Sequence, residues 1–178
     1  MSTRVPLPDP VGILLLDCDG VLTDGGMYFD SAGQAMKRFD VKDGLGLARL
    51  AQLGFPTAVV SGDQSAITAT RCEVLCVGHV VLGRMDKEKA VNEILSETAI
   101  PAESAVFIGD DVSDLPAMHM VGLGVAVADA VDSVKAAADW ITERPGGHGA
   151  VREICDAILA QIEGGTGQGD EAPWSVSV

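Results

Sequence analysis

From Val11 onward the chain alternates short, uninterrupted apolar runs with longer stretches of helical periodicity, a rhythm that few folds accept. The first run, Val-Gly-Ile-Leu-Leu-Leu at 11–16, shows no polar alternation, which suits a strand buried on both faces rather than one with a wet face. Further apolar runs lie at 55–60, 80–82, 105–108 and 124–127. Helical patterns separate them at about 43–53, with Asp43 as N-cap and Gly54 as stop, from about Gln64, at about 86–98 and at 113–120. Repeated βα units of this kind predict an α/β fold, a doubly wound parallel sheet with helices on both faces. The exception is 27–39, where Tyr28 and Phe29 precede a Ser-Ala-Gly turn and Met36 to Phe39 follow it; this reads as a β-hairpin insertion. A single domain is expected over 11–162, after an N-terminal segment at 1–10. Its last helix runs over about 150–162, and the Gly-rich, aperiodic 163–178 forms a flexible tail.

At 178 residues the chain can bury a core of its own, and with 47% hydrophobic residues it is too apolar for a disordered chain. The 12 Lys and Arg against 26 Asp and Glu leave a net charge of −14, which repels nucleic-acid phosphates and anionic membrane surfaces. Neither a nucleic acid nor a membrane is therefore expected as partner. The four cysteines, Cys18, Cys72, Cys76 and Cys155, are scattered, and the opening MSTRVPLPDP has no apolar signal core, so reduced thiols in the cytoplasm are expected. Cys72 and Cys76 could share a helix face but have no nearby His or second Cys pair, so they read as buried small apolar groups rather than as a zinc site.

The first apolar run ends in Asp17-Cys18-Asp19-Gly20. Residues i and i+2 of an extended segment point the same way, so both carboxylates can converge at the carboxyl edge of the sheet, where open α/β sheets bind ligands. A second acidic cluster, Gly109-Asp110-Asp111-Val112-Ser113-Asp114, follows another strand. Crowded carboxylates repel one another unless a cation joins them, and an all-oxygen set suits Mg²⁺. Ser61, straight after the run at 55–60, and Lys87, opening the helix near Asp86, fall at the same rim and supply a hydroxyl and an ammonium for a phosphate group. A lone D-x-D-G is more often an Asx turn, a lone Ser61 a helix cap and a lone Lys87 a solvated surface cation. The ordered set of four points to a site.

In that order Asp17/Asp19, Ser61, Lys87 and Asp110/Asp111 match the four motifs of the haloacid dehalogenase-like phosphatases, and the chain resembles that family over 11–160. The stretches 17–25, 43–46, 109–111 and 146–153 look like the 3-deoxy-D-manno-octulosonate 8-phosphate phosphatase subfamily. The resemblance implies a Rossmann-like haloacid dehalogenase-like core with no cap domain, and a phosphomonoesterase acting on a small phosphorylated sugar or sugar acid. Asp17 is then the nucleophile that forms an aspartyl-phosphate, and Asp19 the acid and base. Mg²⁺ is held by Asp17, Asp110 and the backbone carbonyl of Asp19, and Ser61 and Lys87 bind phosphoryl oxygens. Asp111 fixes Lys87 or a metal-bound water, and Asp114 supports from behind. A homotetramer with shared active sites is implied as well, the hairpin aromatics serving either as its interface or as packing on the hairpin's own core.

Two residues are candidates for specificity. Asp63 stands in Ser61-Gly62-Asp63 where the subfamily usually has an arginine. It either repels a substrate carboxylate, favouring an uncarboxylated sugar phosphate or a nucleotide, or sits in the first turn of the following helix and faces away. Arg152 either faces substrate or pairs with Asp156 one helical turn on. His148 reads as a solvated loop residue, Trp140 as core and Trp174 as a tail residue that could reach another subunit. The rival from another class is a non-catalytic scaffold subunit that keeps the fold; a binding module has no need of both Asp17 and Asp19.

Overall fold

The computed structural model describes residues 4–33 and 35–165; Trp174 and most of the expected tail lie outside them. Six parallel strands form the central sheet: β1 (Ile13–Leu16), β4 (Thr57–Ser61), β5 (His79–Leu82), β6 (Ala105–Gly109), β7 (Leu123–Ala126) and β8 (Trp140–Ile141), in the order β5-β4-β1-β6-β7-β8. All four residues of β1 are buried, because its backbone pairs on both sides, Leu15 opposite Ala58 of β4 and Phe107 of β6. From β1 the chain winds outward to β5, then crosses back and winds the other way from β6. The strand order thus reverses between β1 and β6, and the crevice beyond their carboxyl ends is where such a sheet receives a ligand.

Helices α1 (Val41–Gln52), α2 (Ala66–Val74), α3 (Lys87–Thr98), α4 (Leu115–Met120), α5 (Asp132–Ala137) and α6 (Ala150–Gly165) connect and cover the strands. The expected cap of α1 is corrected: Asp40 caps it, accepting from Lys42 N at 2.7 Å. Asp43 lies in the first turn instead, 1% exposed, and reaches across to the start of α6, where it accepts from Gly149 N (3.1 Å) and Arg152 N (2.8 Å). α2 begins close to the expected Gln64: Ser65 caps it, accepting from Ile67 N at 3.1 Å, and Ala66 is its first residue. The helix expected at 113–120 opens as a 3₁₀ turn over Val112–Asp114, and α4 follows with Pro116 in its first turn, where a missing N–H costs nothing. Cys72 is buried as expected, but Cys76 is exposed beyond the end of α2, so the shared-face reading of the two fails.

The insertion is a two-stranded antiparallel hairpin, β2 (Tyr28–Phe29) paired with β3 (Ala35–Met36), separate from the main sheet. A bridge between Thr23 and Phe39 closes its base. Among the described residues nothing larger interrupts the βα alternation, and no helix is long and apolar enough to cross a membrane.

Candidate active site

Asp17 follows β1 directly, and its N–H donates to Ile108 O of β6 at 3.0 Å, so the backbone that carries the carboxylate is tied to the neighbouring strand. Asp110 leaves β6 beside it. The loop after Asp19 passes so close that a Cβ on Gly20 would fall 2.1 Å from Asp110 Oδ2, and Gly20 also holds a φ of +87°; both features require glycine. Gly146 has a similar function on the other side of that loop, since a Cβ there would meet Gly20 O at 1.7 Å.

Lys87, the first residue of α3, reaches into this crevice with only 4% of its side chain exposed. Its Nζ lies 2.9 Å from Asp17 Oδ1 and 2.5 Å from Asp114 Oδ1. Asp114, wholly buried, also accepts from Asp110 N (3.0 Å) and Asp111 N (3.2 Å) through Oδ2, so it fixes the lysine and the strand-end loop together. Burial works against the Lys87 ammonium, but Asp17 and Asp114 outweigh it and hold its pKa above the ordinary lysine value. Burial, and next the charge of Asp114, push the Asp17 carboxyl up to about 6 against the pull of Lys87. Asp110 is pushed up to about 7 by burial and then by Asp17 and Asp114.

One ammonium among three carboxylates leaves the cluster short of positive charge. Asp17, Asp110 and Asp114 each offer an oxygen, all within 4.8 Å of one another, and Asp110 Oδ1 is buried with no hydrogen-bond partner. Asp114 is already committed to Lys87 and two backbone N–H groups, whereas the orphaned oxygen of Asp110 faces none. A hard divalent cation held by Asp17 and Asp110 answers both the charge and the orphaned acceptor, and the donor set fits Mg²⁺.

Asp19 is held from a different direction. Its Oδ1 accepts from Thr23 Oγ1 at 3.3 Å and its Oδ2 from Lys37 Nζ, in the hairpin arm, at 2.7 Å. The same ammonium donates to Asp63 Oδ2 (2.6 Å) and Thr68 Oγ1 (3.1 Å).

Residues 75–154 match the model of the haloacid dehalogenase-like hydrolases. The chain is 39% identical to the 3-deoxy-D-manno-octulosonate 8-phosphate phosphatase of Escherichia coli K12, over 84% of this chain and 79% of that one. The fold also superposes on the phosphatase of the same name from Moraxella catarrhalis, solved in complex with magnesium, phosphate and KDO. That likeness has a TM-score of 0.82 and 36% identity, covering 85% of this chain and 87% of that one. The cobalt-bound deoxy-D-mannose-octulosonate 8-phosphate phosphatase from Haemophilus influenzae gives a TM-score of 0.82 at 40% identity, covering 86% and 90%. The chain belongs to the haloacid dehalogenase-like hydrolases.

Within this hydrolase the residues singled out from the sequence fall into two groups. Asp17, Lys87, Asp110 and Asp114 meet at one point, and Ser61 ends β4, the strand beside β1, 2% exposed, its Oγ accepting from Asp63 N at 3.1 Å. Two assignments need correction. Asp111 does not fix Lys87: it is exposed and caps the turn after it, accepting from Val112 N at 2.6 Å, while Asp114 grips the lysine. Asp63 is not in a helical first turn but in the loop before α2, paired with Lys37, whose hydrogen bond holds its carboxyl below the usual range. Arg152 pairs with Asp156 (2.7 Å) and lines a cleft of about 540 Å³ whose walls include none of the residues at the strand ends. His148 is exposed, its Nδ1 2.8 Å from Gly146 O, and Trp140 is 2% exposed, in the core. Lys37 was missed because it belongs to no motif; its one signal is that it is a rare cation, in a chain with 12, on the arm that returns from the hairpin toward the site.

Proposed function

We propose that this hydrolase is a magnesium-dependent phosphomonoesterase whose substrate is a phosphorylated sugar acid of the 3-deoxy-D-manno-octulosonate 8-phosphate kind. The observation that carries the reading is the buried Asp17 carboxylate gripped by Lys87 beside the unpartnered Asp110 Oδ1. Lys87 favours the ionised form of Asp17 against its burial, so a nucleophile is available at neutral pH. Asp17 attacks phosphorus, the P–O bond to the sugar breaks, and Asp19 gives its proton to the leaving alkoxide. Asp19 then takes a proton from water, which attacks the aspartyl-phosphate and frees inorganic phosphate and Asp17. Lys87 and Ser61 hold phosphoryl oxygens. Mg²⁺, held by Asp17, Asp110 and the backbone carbonyl of Asp19, supplies charge neutralisation and orientation for the phosphoryl group.

The named relatives favour a carboxylated sugar as substrate, and one of them was solved with KDO. The contrary expectation from Asp63 is weakened, because the Lys37 ammonium 2.6 Å away, shared with Asp19, offsets part of that charge. The same reading places the enzyme in the cytoplasm as a homotetramer. It rests on four free cysteines and on a hairpin that leaves Met27 (77%), Phe29 (61%) and Met36 (64%) exposed. Phosphate release from octulosonate 8-phosphate, glucose 6-phosphate and a nucleoside monophosphate, with Mg²⁺ and with EDTA, tests the reading. The sugar acid phosphate is expected to give the highest kcat/KM and EDTA to abolish it; a preference for either of the others would overturn the substrate class.

A further inference from the structure

Lys37 lies on the return arm of the hairpin, next to the exposed Met36, yet only 11% of its own side chain is exposed. An ammonium has three protons, and here all three have acceptors: Asp19 Oδ2 at 2.7 Å, Asp63 Oδ2 at 2.6 Å and Thr68 Oγ1 at 3.1 Å. The acceptors come from three places in the fold, the loop after β1, the loop after β4, and α2, where Thr68 is wholly buried. A solvated surface lysine loses too much side-chain entropy to be held in this way without strong partners, and two short charge-assisted bonds are such partners.

We propose that Lys37 is a positioning residue for Asp19, fixing the direction in which the acid/base carboxylate faces while Asp63 and Thr68 hold the ammonium from behind. The proposal rests on the reading of Asp19 as acid and base. Asp19 is short of fixed partners otherwise: its second oxygen has only the long 3.3 Å bond from Thr23 Oγ1, and 41% of its side chain is exposed. Without Lys37 the carboxylates of Asp19 and Asp63 lose the charge they share and repel each other, so Asp19 turns away from the leaving oxygen. Asp63 thereby acquires a task inside the protein, as the anchor of that lysine.

Steady-state and rapid-quench kinetics on the full-length enzyme, with octulosonate 8-phosphate and saturating Mg²⁺, test this in Lys37→Met, Lys37→Arg, Thr68→Val and Asp19→Asn, each checked for folding by circular dichroism. Lys37→Met is expected to lower kcat by about 10- to 100-fold with KM within about threefold, slowing both phosphorylation and dephosphorylation. Lys37→Arg restores part of the rate, and Thr68→Val, which removes an anchor without touching Asp19, lowers kcat by a few-fold. If Asp19→Asn loses turnover while Lys37→Met and Thr68→Val keep wild-type kcat, the positioning proposal falls alone. A loss in Lys37→Met that lies wholly in KM also overturns it, making the lysine a substrate contact. An Asp19→Asn variant with normal turnover overturns both the acid/base reading and this proposal. Should Lys37→Met fail to fold, Lys37→Arg and Thr68→Val decide on the same kcat and KM criteria.

Discussion

Asp17 and Asp110 occupy positions that are poor for stability and useful for holding a cation. Their raised pKa values, about 6 and about 7, mean that the folded protein binds these protons more tightly than the unfolded chain does. In the metal-free protein the ionised carboxylates therefore oppose folding, a cost absent below about pH 4 that grows as pH rises through the folded pKa values. Asp110 faces Asp17, Asp114 and Asp111 as like charges and Lys87 as the opposing one. Asp110→Asn should thus melt at a higher temperature than wild type at pH 8 in EDTA, with the gap closing toward pH 5. Mg²⁺ should reverse the order at pH 8 by stabilising only the wild type; thermal melts that place Asp110→Asn below wild type in EDTA at pH 8 would contradict the charge account. Asp17→Asn keeps the shape of the side chain and removes the nucleophile, so phosphate release should fall by about 10³-fold or more with an unchanged circular dichroism spectrum. Asp17, Asp19, Lys87 and Asp110 stand out in the sequence because each follows a strand or opens a helix, and Ser61 because it closes a strand; strand ends are legible. The exchange of Asp111 for Asp114 as the partner of Lys87 was not: it depends on the 3₁₀ turn over Val112–Asp114, which turns Asp114 inward and Asp111 to solvent.

The elements carry two further tests. The hairpin presents Tyr28 and Phe29 at 44% and 61% exposure, while Phe39 at its base packs against the core and under Arg71, 5.6 Å from its ring. Phe39 thus takes the packing role, and Tyr28 and Phe29 are left at the surface. Replacing Tyr28 and Phe29 by Ser should leave the fold intact and dissociate the proposed homotetramer in sedimentation velocity; a wild-type monomer would remove the ground for an interface. Asp43 ties α1 to α6 through two backbone N–H groups at the start of α6. Asp43→Ala leaves those buried donors unpaired and should destabilise the protein by about 1–3 kcal/mol in chemical denaturation. The sequence made Asp43 a helix cap because an acid before a periodic run usually is one; Asp40 fills that place, and nothing local reveals a partner more than 100 residues away. The six-residue α5 and two-residue β8 are too short to show a period, so they emerge only from the packing of Val134 and Trp140 into the core.

At the scale of the whole molecule, a chain with a net charge of −14 gathers carboxylates where β1 and β6 end, at the reversal of strand order, and sets one buried lysine against them. The alternation of apolar runs and helices was enough to place that crevice, because a parallel sheet buried on both faces writes its strands as continuous apolar runs. What brings Lys37 and Asp63 to Asp19 is the return of the hairpin over the site, a tertiary fact with no periodic trace. The central claim is that Asp17 carries the phosphoryl group between its two transfers. Acid-quenching the enzyme during turnover of octulosonate 8-phosphate with Mg²⁺, reducing with borohydride and digesting for mass spectrometry tests it, since an acyl phosphate is reduced to the alcohol. The account predicts homoserine at position 17, dependent on both substrate and metal. An unmodified Asp17 under conditions of rapid turnover, or reduction at any other carboxylate, would contradict it.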